Sequence, residues 1–388
     1  MSLSHRDRVV NALNHEATDR VPIDFGGGPA TNIHPDAYDA LLAHLGFEPE
    51  AEVEGADVEG GQGEGQVRAP SEKVLQHFDI DVRPVAVGAP DGKSVEPINP
   101  TSYTDEWGAI WRKAYPRAPY INVEGPFQKL VDPTPSDIDT IDWPDPADPG
   151  RIRGLRERTQ KLRDETDYAI VLSLGNTTFA LSQRLRGFAE LLEDLILNKP
   201  FAEALMERVT DVVCGIADAA VAEVGDLVDA VASADDMGIQ TQAFMHPDLY
   251  RALVMPNHRR LVESVRRHTN AKMILHSDGA VHELLPDMID AGIQVLNPVQ
   301  VNADGMDAAF LKREFGKDLS FWGGMDTQIV LPFGSPEDVK EEVKRRVNGL
   351  GAGGGYVLAS VHNILAEVPP ENIVAMYETA RELEGNAS

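Results

Sequence analysis

Short apolar runs alternate along the chain with longer segments of helical periodicity, and this alternation is the feature that most constrains the fold. Strands that alternate with helices favour a parallel sheet whose strands are joined by helical crossovers. Eight such units in 388 residues predict an α/β protein, a (β/α)8 TIM barrel built as a single domain over residues 1–388. A doubly wound open sheet is the alternative. The predicted strands are residues 20–25, 81–87, 168–174, 227–233, 271–276, 294–298, 318–323 and 355–360.

Two segments interrupt this alternation. Residues 48–66 are acidic and rich in glycine, which predicts a solvated loop. Residues 90–126 alternate aromatic and polar side chains, which predicts a hairpin or lid rather than a separate domain. We therefore expect both segments to be irregular insertions in the barrel.

Composition and charge exclude several classes of partner. The chain has 63 acidic and 35 basic residues, a net charge of -28 that repels nucleic acid and anionic lipid. It has neither an apolar run of about 18 residues nor an apolar N-terminal signal core, so we expect a cytoplasmic protein without a membrane span. The single cysteine, Cys214, excludes an internal disulfide and any multi-cysteine metal site. Its amphipathic helical surroundings predict a small core residue.

Polar residues follow most of the predicted strands. In a (β/α)8 barrel the active site is built at the C-terminal ends of the strands and in the loops that follow them, which together are called the mouth below. We expect these polar residues to form a functional mouth, with the amides and one carboxylate at four positions binding substrate. Those four positions are Asn176, Asn297, Gln300 and Asp326.

The end of the fifth predicted strand carries a histidine and a carboxylate two residues apart. Alternate residues of an extended segment point the same way, so His276 and Asp278 can face one ligand together. Imidazole and carboxylate both bind zinc and other divalent metals, and His362 would complete a set of two histidines and one carboxylate. Alternatively, Asp278 caps the helix that begins near Ala280, and both histidines are hydrogen-bonded rim or loop residues.

Asp235 and Asp236 follow the neighbouring predicted strand and are candidate catalytic residues. A carboxylate there would act as a general acid, as a further metal ligand, or as the binding group for a cationic substrate. The alternative is a helix-capping or salt-bridged aspartate. Surface or structural roles are predicted for four other histidines, His246, His258, His268 and His282.

Long, ordered stretches of the chain resemble the uroporphyrinogen decarboxylase superfamily, especially its methyltransferase-like branch. The family fold is a (β/α)8 barrel, which agrees with the eight predicted strands, and its barrels often pair as homodimers. The resemblance covers most of the chain and is weakest in the two insertions. The similar stretches are residues 8–25, 185–209, 235–262, 273–300, 311–339 and 353–380.

The superfamily contains two chemistries, and the resemblance bears on both. True uroporphyrinogen decarboxylases are metal-free and hold the carboxylates of a porphyrinogen with an arginine-rich R-Q-A-G-R type segment near the N-terminus. The corresponding residues here, 24–38, contain no arginine. Decarboxylation of a tetrapyrrole or of another carboxylated substrate is therefore the alternative activity.

Methylcobamide:thiol methyltransferases are more similar. They bind zinc through a His-x-Cys at the fifth strand and a later ligand near the eighth, positions that correspond here to His276, Asp278 and His362. The usual cysteine is an aspartate in this chain, so zinc, manganese or iron would suit the set. The resemblance implies a metal-dependent methyltransferase that moves a methyl group between a small molecule and a corrinoid protein or a thiol or folate acceptor. Because the chain has no D-x-H-x-x-G run, a partner protein would supply the corrinoid.

Overall fold

The computed structural model describes residues 2–49, 67–92, 95–115 and 120–383, in which helices and strands alternate for most of the length. The strands are β1 (Val82–Ala86), β2 (Val95–Asn99), β3 (Ser102–Asp105), β4 (Ile110–Arg112), β5 (Ile121–Glu124), β6 (Ala169–Asn176), β7 (Ala230–Ala234), β8 (Lys272–His276), β9 (Val295–Asn297), β10 (Ser320–Met325) and β11 (Tyr356–Ser360). The helices are α1 (His5–Leu13), α2 (Pro35–His44), α3 (Glu72–His77), α4 (Leu155–Glu165), α5 (Thr178–Arg186), α6 (Phe188–Leu197), α7 (Lys199–Val224), α8 (Pro247–Leu253), α9 (Met255–Arg266), α10 (Leu285–Ala291), α11 (Ala308–Phe315), α12 (Val330–Phe333), α13 (Pro336–Leu350) and α14 (Pro370–Glu382). Short 3-10 helices lie at Pro135–Thr140, Pro149–Ile152 and His282–Leu284. None of the helices in these described ranges is both long enough and apolar enough to cross a membrane.

A parallel sheet of seven strands forms the centre of the fold, in the order β1-β6-β7-β8-β9-β10-β11. This order follows the chain without a reversal, which excludes the doubly wound alternative. Alternate residues of the strands contribute to two buried clusters, because both faces of a parallel sheet are covered. The larger cluster includes the residues packed under the helices, such as Leu172, Val231 and Leu275. The smaller cluster consists of Val9, Leu13, Val82, Ala169, Val171, Ala230, Ala232, Ile274, Val295, Trp322, Val357 and Ala359.

The first predicted strand, residues 20–25, is not one of the seven strands of the sheet, whereas the other seven predictions are confirmed with small shifts of their ends. Ile23 makes a single parallel bridge to Leu358 of β11. The Asp24 N–H donates to the Leu358 carbonyl at 2.9 Å, and the Leu358 N–H donates to the Pro22 carbonyl at 2.9 Å. On the opposite side, the Asp81 N–H donates to the Ile23 carbonyl at 3.0 Å, directly before β1. Because Pro22 has no N–H, the pairing with β11 stays short.

The insertion predicted at residues 90–126 contains a four-stranded antiparallel sheet in the order β2-β3-β4-β5. The predicted hairpin is correct in being antiparallel, but the segment forms four strands rather than two. Tyr103 of β3 and Trp111 of β4 stack with ring centroids 6.4 Å apart, and β5 contacts α5 beside the central sheet. Of the other predicted insertion, residues 50–66 lie outside the described residues.

Candidate metal centre

The turn after β8 places His276 and Asp278 at the mouth. His276 ends β8 and pairs in register with Ala234 of β7 and Asn297 of β9. Gly279 then adopts a φ of +91°, and a Cβ there would lie 2.4 Å from the Gly238 carbonyl carbon. Only glycine fits this position, because a side chain would meet both the strained backbone and the neighbouring loop.

Hydrogen bonds from both neighbouring strands fix this turn. The Ser277 N–H donates to the Asn297 carbonyl at 2.7 Å, and the Ser277 hydroxyl accepts from the Met237 N–H at 2.9 Å. The Gly279 N–H donates to Oε1 of Gln300 at 2.6 Å. The turn is therefore rigidly placed relative to the sheet, as a preorganised ligand set requires.

The structure brings the three predicted metal ligands together. One ligand atom from each of His276, Asp278 and His362 lies within 4.8 Å of the other two. His276 Nε2 is 3.7 Å from Asp278 Oδ2, and the two imidazole ring centroids are 6.2 Å apart. Two donors that each bind a tetrahedral ion at about 2.1 Å lie about 3.4 Å apart. The spacing of the three residues therefore fits one divalent ion.

Asn297 sets the orientation and the tautomer of His276. His276 Nδ1 lies 2.6 Å from Asn297 Oδ1, and an amide oxygen only accepts hydrogen bonds, so Nδ1 carries the hydrogen and donates it. The lone pair of the neutral ring is then on Nε2, which faces Asp278. This is the arrangement that metal-binding histidines require. The Nδ2 of Asn297 is buried and has no hydrogen-bond partner among the described residues.

The surroundings of Asp278 keep its carboxylate charged. Burial by itself would raise the pKa of Asp278, but the nearby imidazoles of His276 and His362, when they are protonated and positively charged, hold that pKa below its ordinary value. A metal ligand must be deprotonated to bind. Asp278 is therefore in the protonation state that a metal ion needs.

Asp235 and Asp236 have different surroundings although they are adjacent. The carboxylate of Asp235 is fully buried and accepts hydrogen bonds from the N–H groups of Phe179 and Ala180 in the first turn of α5. It also accepts from His258 Nε2 at 2.7 Å. Asp235 thus caps α5, which is the alternative that the sequence left open, and its catalytic role stays a prediction. Asp236 is half-exposed, and its Oδ1 lies 3.9 Å from His276 Nε2.

The four predicted substrate-binding residues fall into two groups. Asn176 and Asn297 end strands β6 and β9 at the mouth. Gln300 accepts the Gly279 N–H, and Asp326 accepts the N–H groups that follow it at Gln328 and Ile329. Gln300 and Asp326 therefore hold loops in place, because the side-chain amide oxygen of Gln300 and the carboxylate of Asp326 accept hydrogen bonds from backbone N–H groups.

Two residues near the mouth have surroundings that the sequence analysis did not identify. His258 is the structural histidine that was one of its two predicted roles: it is buried, and its Nδ1 contacts the Tyr250 hydroxyl at 2.8 Å. Its helical spacing from Leu261 and Val262 was the available signal, since it lies on the apolar side of α9. Arg184 of α5 has its Cζ 5.0 Å from the centre of the Trp111 ring. No local sequence pattern could link Arg184 to Trp111, because the two residues are far apart in the chain.

Comparisons with known proteins bear on both chemistries. Residues 120–383 match the profile of the uroporphyrinogen decarboxylase (URO-D) family. A uroporphyrinogen decarboxylase from Trichodesmium erythraeum is 27% identical over 141 residues, 36% of this chain and 37% of that protein. A methylated-thiol–coenzyme M methyltransferase from Methanosarcina mazei is 24% identical over 258 residues, 65% of this chain and 65% of that protein. The chain thus matches less than two thirds of the length of either relative.

A solved structure gives a more complete match. A methyltransferase from Methanosarcina mazei superimposes with a TM-score of 0.66 over 98% of this chain and 99% of that chain, at 19% sequence identity. At this identity the likeness establishes a common fold. The profile match identifies the family and the superposition shows the shared fold; neither specifies the reaction.

Proposed function

This chain belongs to the uroporphyrinogen decarboxylase (URO-D) family, and from that premise we propose that it is a metal-dependent methyltransferase. It would move a methyl group between a small molecule and a corrinoid protein or a thiol or folate acceptor. The observation that carries the proposal is the convergence of His276, Asp278 and His362, whose ligand atoms lie within 4.8 Å of one another. The similarity to a methyltransferase in sequence and in fold supports the same reading.

The three residues would hold the metal, and Asn297 would orient His276 toward it. Two imidazoles and one carboxylate suit zinc, manganese or iron. When bound, a divalent ion would act as a Lewis acid that lowers the pKa of the substrate heteroatom that exchanges the methyl group. Asp236 would accept the proton from that heteroatom, because its half-exposed carboxylate lies 3.9 Å from His276 Nε2. Asn176 and Asn297 would bind polar atoms of the substrate.

The glycine-rich loop after residue 24 disfavours the alternative, decarboxylation of a tetrapyrrole. Asp24 is fully buried and accepts hydrogen bonds from the N–H groups of Gly27 and Gly28 and from Trp322 Nε1 at 2.9 Å. The loop is thus wrapped around a carboxylate, and residues 24–38 contain no arginine. Such a segment offers no cation for the carboxylates of a porphyrinogen.

Residues 20–25 would supply the eighth strand of a (β/α)8 barrel. Their backbone hydrogen bonds reach Leu358 of β11 on one side and Asp81, next to β1, on the other. These are the two edge strands of the seven-stranded sheet. Closure through this segment would bring β11 close enough to β8 for His362 to meet His276 across the mouth.

The experiment that tests the proposal measures metal content and methyl transfer together. Metal-free protein is reconstituted with zinc, manganese or iron and examined by elemental analysis, for the wild type, for His276→Ala and for His246→Ala. His246 is a matched control because its side chain is 75% exposed. We expect about one equivalent of metal in the wild type and in His246→Ala, and none in His276→Ala.

Methyl transfer is then followed by the absorbance change when methylcobalamin loses its methyl group to an added thiol or folate. The reaction should depend on the metal and disappear in His276→Ala. Full transfer by His276→Ala would contradict the proposal. Metal-independent release of carbon dioxide from uroporphyrinogen would replace it with the decarboxylase alternative.

A further inference from the structure

Arg184 is a half-buried cation that forms no ion pair within the described part of the chain. It lies on α5, directly after β6, with its Cζ 5.0 Å from the centre of the Trp111 ring. Its side chain makes no hydrogen bond and no ion pair with any residue that the structure describes. Arg186, two positions later on the same helix, shows the usual pattern: its Nε pairs with Asp194 at 2.6 Å and its Nη1 donates to the Phe127 carbonyl. Buried arginines are normally paired in this way.

The carboxylates near Arg184 are mostly committed to other donors. Burial lowers the pKa of Arg184, and the charges of Asp105, Asp236 and Asp235 oppose that effect. The oxygens of Asp105 accept hydrogen bonds from Trp111 Nε1 at 2.8 Å and from the backbone N–H groups of Trp107 and Ala109. Asp235 caps α5. Only the half-exposed Asp236 remains, so the guanidinium keeps its hydrogen-bond donors available.

The position of Arg184 joins the antiparallel sheet to the candidate metal centre. Trp111 and the adjacent Tyr103 belong to that sheet and form an aromatic wall beside the guanidinium. The neighbouring Asp236 lies 3.9 Å from His276 Nε2. An anion bound by Arg184 would therefore lie at the same mouth as the three candidate ligands. The wall would exclude water and strengthen the charge–charge interaction.

We propose that Arg184 binds the carboxylate of a small organic acid, and that this acid is the methyl donor or acceptor whose reacting atom reaches the His276, Asp278 and His362 centre. The inference rests on the proposed function and adds the substrate class to it. Guanidinium and carboxylate form two parallel hydrogen bonds, which gives both affinity and orientation. In a chain with a net charge of -28, an anionic substrate needs such a local cation, because the overall field repels it.

The test compares an acid with its neutral amide. Binding of 3-mercaptopropionate and of 3-mercaptopropionamide, and of straight-chain carboxylates and their amides with two to six carbons, is measured by calorimetry in the presence and absence of metal. We expect the best acid to bind at least about tenfold more tightly than its amide. That preference should disappear in Arg184→Met and persist in weakened form in Arg184→Lys.

Arg208→Met is the matched control. Arg208 is exposed on α7, and its Cζ lies 5.4 Å from the centre of the Trp143 ring, so it is another arginine stacked on a tryptophan. The control should keep the full preference for the acid. The melting temperature of Arg184→Met should match that of the wild type, because Arg184 stabilises no ion pair within the described residues, and a large decrease would indicate a structural role instead.

The outcomes separate this inference from the proposed function. No preference for any acid over its amide in the wild type, or an unchanged preference in Arg184→Met, would overturn the inference even if methyl transfer is observed. A preference that depends on Arg184 in a protein that neither binds metal nor transfers methyl groups would leave the carboxylate site standing and remove the methyltransferase proposal.

Discussion

Asn297 shows how a residue that would not touch the metal controls the candidate centre. Its Oδ1 receives the Nδ1–H of His276 at 2.6 Å and thereby leaves Nε2 as the ligand atom. We expect Asn297→Leu to weaken metal affinity by about 10- to 100-fold, because the imidazole loses the partner that fixes its tautomer and orientation. Competition with a chromophoric chelator would measure the affinity.

The control for this substitution is Asn302→Leu. Asn302 is exposed and donates its Nδ2–H to Asp326 at 2.7 Å. Its replacement should leave the affinity unchanged. Equal affinities for the wild type and Asn297→Leu would show that the hydrogen bond to His276 plays no part in metal binding.

Cys214 should be a poorly reactive thiol. Burial raises its pKa to about 11, so about one molecule in a thousand carries a thiolate at pH 8. We expect a disulfide reagent such as 5,5′-dithiobis(2-nitrobenzoate) to modify the folded protein about 100-fold more slowly than the protein unfolded in urea. Stopped-flow absorbance would measure both rates, and similar rates would contradict the predicted burial of the thiol.

The sequence located the candidate metal residues but not the roles of their neighbours. His276 ends β8 and Asp278 lies two positions later in the turn, so a local pattern identified them; His362 follows the eighth predicted strand, and the family resemblance implied the same three ligands. Asp235 stood in the same kind of position as Asp236, but its carboxylate turns toward the N–H groups of α5. Such a difference depends on the packing of α5 and α9, which no local pattern records.

The first turn of α5 and the buried end of α9 are joined through Asp235. Its carboxylate accepts the N–H groups of Phe179 and Ala180 and the Nε2–H of His258, which also contacts Tyr250. We expect Asp235→Ala to lower the free energy of unfolding by about 3 kcal/mol or more, because three buried donors lose their acceptor. Urea denaturation followed by circular dichroism would measure the change.

Asp236→Ala is the natural comparison for that measurement. The half-exposed carboxylate of Asp236 accepts a hydrogen bond from the Asp278 N–H at 3.1 Å. Replacing Asp236 should lower the free energy of unfolding by less than about 1 kcal/mol. A stable Asp235→Ala protein without methyl transfer would contradict the capping role and return Asp235 to the catalytic candidates.

The strands of the central sheet were predictable because they are buried on both faces, and the strands of the insertion were not. β7, β8 and β11 are almost entirely buried and read as continuous apolar runs. β2 is exposed along its whole length, and register shifts interrupt its pairing with β3 and the pairing of β4 with β5. Without a regular alternation of apolar and polar residues, the sequence indicated a hairpin but not four strands.

One buried carboxylate connects three elements of the molecule at the base of the sheet, opposite the mouth. Asp81 directly precedes β1 and accepts hydrogen bonds from Arg8 Nη1 at 2.6 Å and from Arg20 Nη1 at 2.6 Å. It also accepts the backbone N–H of Ile23 at 2.8 Å. Asp81 thereby connects α1, the segment of residues 20–25 and β1. Asp81 therefore links the beginning of β1 to the same segment, residues 20–25, that is hydrogen-bonded to β11 on its other side.

The contribution of Asp81 to stability should depend on pH with a definite sign. Burial alone would raise its pKa, but His5, Arg20 and Arg8 lower the pKa below the ordinary value. The folded state therefore binds its proton less readily than the unfolded state does. The stabilisation is complete above the unfolded pKa of about 4 and decreases as the pH falls below that value.

Substitution of Asp81 tests whether this carboxylate holds the base of the sheet. We expect Asp81→Asn to lower the free energy of unfolding at pH 7 by about 3–5 kcal/mol, because Arg8 and Arg20 stay buried and lose the fully buried carboxylate that they share, keeping only the more exposed Asp19 and Asp79. Asp79→Asn is the control. Asp79 also pairs with Arg20, but its side chain is 44% exposed, so this substitution should lower the free energy of unfolding by less than about 1 kcal/mol. Urea denaturation between pH 3 and pH 7 would measure both variants. The deficit of Asp81→Asn should shrink below about pH 4. A deficit that is constant across this range would show that the shape of the side chain, rather than its charge, stabilises this end of the sheet.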